Sequence, residues 1–150
     1  MNSLWLYRPL LNWQDIYAWA HSVGVKKIMP RETLHTTILT VHTPCELDDL
    51  DLLDNEIHVP AGLKTIQLFG WTVKALTFGH PEIKERHDEL SILFPKNEHP
   101  ILRPHVSLFR GGKMISECYE GALIFGPEIA KEFNGMKGRR IKHVKVSDFI

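Results

Sequence analysis

The chain has 150 residues, 43% hydrophobic and 24% charged, with eighteen basic and eighteen acidic side chains that cancel. That length and apolar content suit one globular domain, or two small lobes sharing a core, and exclude a disordered chain. A net charge of zero argues against a long duplex nucleic acid, whose binding rests on many phosphate contacts, and leaves room for a small anionic ligand.

In chain order, Leu4–Arg8 alternates and reads as a strand. Asn12 is a helix cap, Trp13, Ile16, Tyr17, Ala20 and Val23 recur at helical spacing, and Gly24 is the stop. After Pro30 comes a strand over Leu34–Val41, then an acidic, turn-rich stretch over 42–55. Ile57–Val59, Thr65–Phe69 and Trp71–Phe78 read as strands, with Gly70 as a bend or bulge. His80–Leu93 is an amphipathic helix with Ile83, His87, Leu90 and Leu93 or Phe94 on one stripe. A loop over 95–104 leads to a strand from His105 to Phe109. Glu120–Phe125 and Ile141–Val146 are strands suited to pair around a Gly-rich connection, and Glu128–Phe133 reads as a short helix behind Pro127. The order lacks regular strand–helix alternation, so the fold class is α+β, with antiparallel sheet and helices on the outer faces.

Cys45 and Cys118 have no metal-ligand spacing and read as free thiols of a reducing compartment. Met1-Asn2-Ser3 runs into Trp5, Tyr7 and Arg8 without a signal-peptide apolar run, and no apolar stretch reaches bilayer length. The expectation is a cytoplasmic protein that needs no membrane. No feature calls for an obligate protein partner.

Two short strings carry the chemistry: Leu34-His35-Thr36-Thr37-Ile38 and Pro104-His105-Val106-Ser107-Leu108. Strand side chains alternate, so His35 and Thr37 share one face, as do His105 and Ser107, with the intervening residues on the back. Two imidazoles can divide a proton transfer, one starting neutral and one charged near pH 7. Two hydroxyls can donate to phosphoryl oxygens as charge develops on them. This suits cleavage of a phosphodiester with a free 2′-hydroxyl: a base takes the 2′ proton, the oxygen attacks phosphorus, and an acid protonates the leaving 5′-oxygen. Each acid–base group contributes on the order of 10² to 10⁴ in rate, and no metal is required. One such string alone is commonplace, and a half-buried strand histidine explains it. Two, one in each half of the chain and each on an alternating strand, point to a pseudo-twofold pair.

The pair resembles the signature of the 2H phosphoesterase superfamily. That resemblance implies a single domain over residues 1–150 with two similar lobes and a central groove. It also implies metal-independent phosphodiester chemistry without a cofactor, and His35, Thr37, His105 and Ser107 as the catalytic set. Ser107 stands where many members have Thr. Within the superfamily, Tyr7, Trp71 and the string Leu123-Ile124-Phe125-Gly126-Pro127-Glu128 are similar to positions of the phage anti-CBASS phosphodiesterases. There a Tyr and a Trp stack on bases and an acid contacts the nucleotide, which here are Tyr7, Trp71 and Glu128; Phe133 is the nearby candidate for that branch's further aromatic. The resemblance implies a cyclic di- or trinucleotide substrate and, for a viral chain, the cytoplasm of the infected cell. A base on an aromatic ring gains roughly 1–3 kcal/mol, and a carboxylate accepts from purine amino groups. Against this, aromatics in apolar strands are more often core, and Glu128 at a helix start favours the helix dipole. Arg31, Arg103 and Arg110 flank the two His strands and are candidates for phosphate. RNA 2′,3′-cyclic phosphodiesterase activity and nucleotide sequestration without turnover are the two other readings. Intact His35 and His105 count against the last.

Overall fold

The computed structural model describes residues 3–42, 50–69, 72–97, 101–111, 115–133 and 141–144. Nine strands and two α-helices follow in the order β1 (Ser3–Pro9), α1 (Trp13–Ser22), β2 (His35–Val41), β3 (Ile57–Val59), β4 (Thr65–Phe69), β5 (Val73–Thr77), α2 (Pro81–Leu93), β6 (His105–Arg110), β7 (Leu123–Phe125), β8 (Ile129–Phe133) and β9 (Ile141–Val144), among the described residues, with a 3-10 turn at Arg31–Thr33 ahead of β2. All pairings are antiparallel, in sheets ordered β2-β1-β8-β9, β4-β5-β6 and β3-β7. The α+β expectation holds. Each of the two larger sheets ends on a His strand, β2 in one and β6 in the other.

The backs of both His strands enter the core. Leu34, Thr36 and Ile38 are buried behind β2, and Val106 and Leu108 behind β6. Leu6, Leu76, Ile83, Leu90, Leu123 and Phe125 complete that core from the other elements. The stripe expected on the second helix is present: Ile83, His87 and Leu90 are its buried residues. The ties between helices and His strands cross over. His87 on α2 bonds to Ile38 of β2, while the segment after α1 bonds β6 through the Met29 amide and the Leu108 carbonyl. Gly24 stops α1 at φ +81°, where an L side chain is strained. Asn12 holds the N-cap position without a side-chain cap bond. Its side chain instead ties the helix start to the strand region of β7, donating to the Ala122 carbonyl at 2.8 Å and accepting from the Ile124 amide at 2.9 Å.

Two expectations are corrected. The stretch read as a helix over Glu128–Phe133 is strand β8, paired along its length with β1 from Tyr7↔Ile129 to Ser3↔Phe133. Ala130, Lys131 and Glu132 are good helix formers, but five residues are too few to hold a helix alone and the open edge of β1 decides the conformation. As a result β9 pairs with β8, and β7 pairs with β3 rather than with β9. Among the described residues, no helix is long and apolar enough to cross a membrane.

Candidate active site

The two His strands repeat one backbone design. From the histidine onward, β2 runs half-buried, buried, half-buried, buried, buried, and β6 does the same. In each, the ladder slips one residue past the hydroxyl. Thr37 pairs with Tyr7 and Leu39 with Leu6, leaving Ile38 extra. Ser107 pairs with Ala75 and Phe109 with Lys74, leaving Leu108 extra. A bulge of this kind sharpens the local twist and re-aims the side chains beside it. The extra residue's carbonyl has lost its ladder partner and is buried, so it needs another donor. Buried His87 serves Ile38 through Nδ1 at 2.7 Å. The Met29 amide serves Leu108 at 2.7 Å.

The imidazoles are pinned alike. His35 Nδ1 lies 2.6 Å from the Thr33 carbonyl and His105 Nδ1 lies 2.7 Å from the Arg103 carbonyl, each two residues upstream. A carbonyl only accepts, so Nδ1 carries a proton in both rings. Nε2 is then the nitrogen whose protonation can change, and the tautomer is set before any ligand arrives.

Their surroundings differ. His35 stands edge-on to Trp5 and Tyr7, with ring centroids at 4.9 and 5.3 Å, and those two rings stack on each other at 4.3 Å. The Lys131 ammonium lies 5.7 Å from the Trp5 ring and 5.5 Å from that of Tyr7. His105 lies flat on Phe69, centroids 4.3 Å apart. Burial pushes His35 below its ordinary value; the Thr33 carbonyl opposes this, while the positive charges of His105 and Lys131 add to it. Burial and these charges together favour the neutral form of His35. Thr37 Oγ1 accepts the Trp5 indole N–H at 3.0 Å, which leaves its own proton to donate outward. Ser107 is half-buried on the His105 face of β6. A cavity of about 420 Å³ is lined by Thr37 and Thr40 from one sheet and Phe69 and His105 from the other, with Leu102 and Arg103 at its side. Among the described residues, no cluster of His, Cys, Asp or Glu is placed to hold a metal.

The nucleotide-contacting residues expected from the resemblance fare differently. Tyr7 is on the groove face but only 8% exposed, packed against Trp5 and His35, so it supports the imidazole and offers little ring to a base. Glu128 is corrected outright. It is 0% exposed, its two oxygens take Nη2 and Nε of Arg86 at 2.9 Å each, and Oε1 also accepts the Leu53 amide at 2.9 Å. Its neighbour Ile129 is the partner of Tyr7 on the groove side, so Glu128 points to the other face of the sheet, where α2 lies. It anchors Arg86 of that helix and is spent there. Trp71 lies outside the described residues, and so does Cys45; the side chain of Phe133 is likewise not described. Arg31 packs over Trp13 and pairs with Glu32, Arg110 is exposed at the end of β6, and Arg103 alone of the three lines the cavity. Sequence reasoning missed Trp5 and Lys131. Trp5 shares a strand face with Tyr7 by simple alternation, a signal that was available; Lys131 was hidden by the helical reading of its segment.

Comparison with known proteins places the chain. The family model described as Anti-CBASS protein Acb1 matches residues 2–139. A relative named Anti-CBASS protein Acb1 from Sphingomonas paeninsulae is 28% identical over 141 residues, which is 86% of this chain and 23% of that protein. Another of the same name, from Caulobacter sp. (strain RHG1), is also 28% identical over 141 residues, covering 87% of this chain and 22% of that protein. The chain therefore spans less than a quarter of the length of these curated relatives. Among solved structures, E. coli LigT complexed with phosphate superposes with a TM-score of 0.64 at 13% identity, over 96% of this chain and 95% of that one. LigT complexed with 3′-AMP gives 0.65 at 12% identity with the same coverage, and a structure described as a phosphoesterase gives 0.66 at 12%. These likenesses show the fold.

Proposed function

The chain belongs to the anti-CBASS Acb1 family, and from that premise we propose that it is a metal-independent phosphodiesterase that cleaves 3′–5′ bonds of cyclic di- and trinucleotide messengers and so counters CBASS antiviral signalling. The observation that carries the chemistry is the matched pair of imidazoles, each pinned through Nδ1 by a backbone carbonyl and each on the edge strand of its sheet. That solved LigT structures on this fold are complexed with 3′-AMP and NADP+ supports a small nucleotide as the ligand.

In this reading His35, held neutral, takes the 2′-hydroxyl proton on Nε2. The 2′-oxygen attacks phosphorus as the bond from phosphorus to the 5′-oxygen breaks, and His105 gives its Nε2 proton to that oxygen. Thr37 and Ser107 donate to the non-bridging oxygens as their charge grows, and Trp5 keeps the Thr37 hydroxyl turned toward them. The test is a substrate panel in excess EDTA: cyclic di- and trinucleotides, their 2′-deoxy analogues, and 2′,3′-cyclic mononucleotides. Cleavage of the ribo cyclic oligonucleotides with the deoxy forms resistant is expected. Activity lost to chelator and restored by a divalent ion overturns the two-imidazole mechanism, and turnover confined to 2′,3′-cyclic ends overturns the substrate.

A further inference from the structure

Beyond His105 the groove continues. The register of β4, β5 and β6 sets Thr65, Thr77 and His105 in one cross-strand row, and Gln67, Ala75 and Ser107 in the next. Residues directly opposite share a face of the sheet, so Thr65, Thr77 and Gln67 project to the same side as the histidine and its serine. There they line a second cavity of about 590 Å³ with Phe78. Leu102 and Arg103 line both cavities, so the two meet at the segment that leads into His105. Each volume lies within the range, roughly 300–1,000 Å³, of pockets that enclose a small organic ligand.

We propose that this second cavity is the subsite for the leaving nucleoside, the one whose 5′-oxygen is expelled. The inference rests on the phosphodiesterase reading and adds a direction to it. The acid must touch the leaving oxygen and the base must touch the 2′-hydroxyl, so the two nucleosides lie on opposite sides of the phosphate. His35 and its aromatic floor belong to the β1–β2 side; His105 belongs to the β4–β5–β6 side, where the cavity is.

The lining suits that occupant. Thr77 donates its hydroxyl proton to the Thr65 carbonyl at 3.1 Å, and the two hydroxyl oxygens are themselves hydrogen-bonded. With Thr77 so committed, Thr65 is the donor between them. Both protons are then used within the strand pair, and the oxygens face the cavity as acceptors. Ribose hydroxyls and the exocyclic amino group of a base are the complementary donors. The Gln67 amide supplies both a donor and an acceptor for a base edge. Phe78, braced on Phe125 with centroids 5.5 Å apart, and Leu102 give the ring an apolar wall. Arg103, at the junction of the cavities, is placed for the phosphate that joins the two nucleosides.

The experiment compares two substrates with the same 2′-hydroxyl nucleoside: a cyclic dinucleotide, and a nucleoside 3′-(methyl phosphate), whose leaving methanol is too small to enter the cavity. Gln67→Ala and Thr65→Val change exposed side chains, and thermal melting checks their folding. The ratio of kcat/KM for the dinucleotide to that for the methyl ester is expected to fall about tenfold in each, the loss of one hydrogen bond to substrate. A ratio equal to that of the unaltered protein overturns the subsite while leaving the phosphodiesterase reading intact. An unaltered protein that turns over neither substrate overturns that reading and the subsite with it.

Discussion

In β2 the histidine rests against two stacked aromatic rings with an ammonium beside them; in β6 it lies flat on the Phe69 ring. Behind these different settings the backbones are the same. Each strand has its hydroxyl two residues after the histidine, its bulge one residue later, and its Nδ1 held by the carbonyl two residues before. The repeat thus lives in the main chain, which fixes where the two imidazoles and hydroxyls sit. The difference lives in the side chains around them, and on the β2 side burial lowers the His35 value. For the proposed acid–base pair, unequal linings favour unequal starting protonation of the two imidazoles.

The hardest break of this comparison is to remove one member at a time. His35→Ala and His105→Ala are each expected to lower single-turnover cleavage of a cyclic dinucleotide at least about a hundredfold, with ligand affinity by calorimetry largely kept. If both imidazoles act in one step, the double variant is little worse than either single one. A variant with near-unaltered turnover removes its residue from the pair and with it the idea that the two strands do complementary work.

A smaller break targets the bulge. The extra carbonyl of β2 is held by a side chain, that of His87, whereas its counterpart on β6 is held by a backbone amide, so only β2 can be released by a side-chain change. His87→Leu leaves the Ile38 carbonyl buried and unpaired, at a cost of about 1–3 kcal/mol in chemical denaturation. Because Thr37 is the residue next to the bulge, kcat is expected to fall several-fold more than KM rises. His87→Asn, which keeps a donor on a short side chain, should recover part of kcat. Equal kcat for the Leu and Asn variants would show that His87 only fills space behind the strand.

How much of this was legible beforehand follows from where the causes sit. The two motifs and the buried backs of their strands are local, written in alternation over five residues, and the sequence displays them. The bulges are not, because their outside donors His87 and Met29 come from elsewhere in the chain and nothing in Thr37-Ile38-Leu39 announces an extra residue. The strand β8 was hidden for a similar reason: its composition favours helix, and the unpaired edge of β1 overrides that preference. That one misreading displaced two site assignments. It concealed Lys131, which the strand aims at the Trp5 and Tyr7 rings, and it left Glu128 available as a groove acid when the pleat turns it inward to Arg86.

Lys131 gives the finest test of the asymmetry, since β6 has its own surroundings and this ammonium acts on β2. His35 is held below its ordinary value of 6.5, first by burial and then by the positive charges of His105 and Lys131. A lowered value keeps the base neutral further into acid, so the acidic limb of kcat/KM, which reports the free enzyme, should lie below that ordinary value. Lys131→Ala removes one of the charges that disfavour imidazolium, so the limb should move up in pH, while Lys131→Arg should hold it in place. The shift is expected to shrink as salt is raised, in proportion to how far the ammonium acts through solvent. A limb that stays put in Lys131→Ala would leave burial and His105 alone to account for the neutral His35. An acidic limb that stays while the basic limb moves up would mean that His35 is the group that must start protonated, and the assignment of base and acid would have to be exchanged.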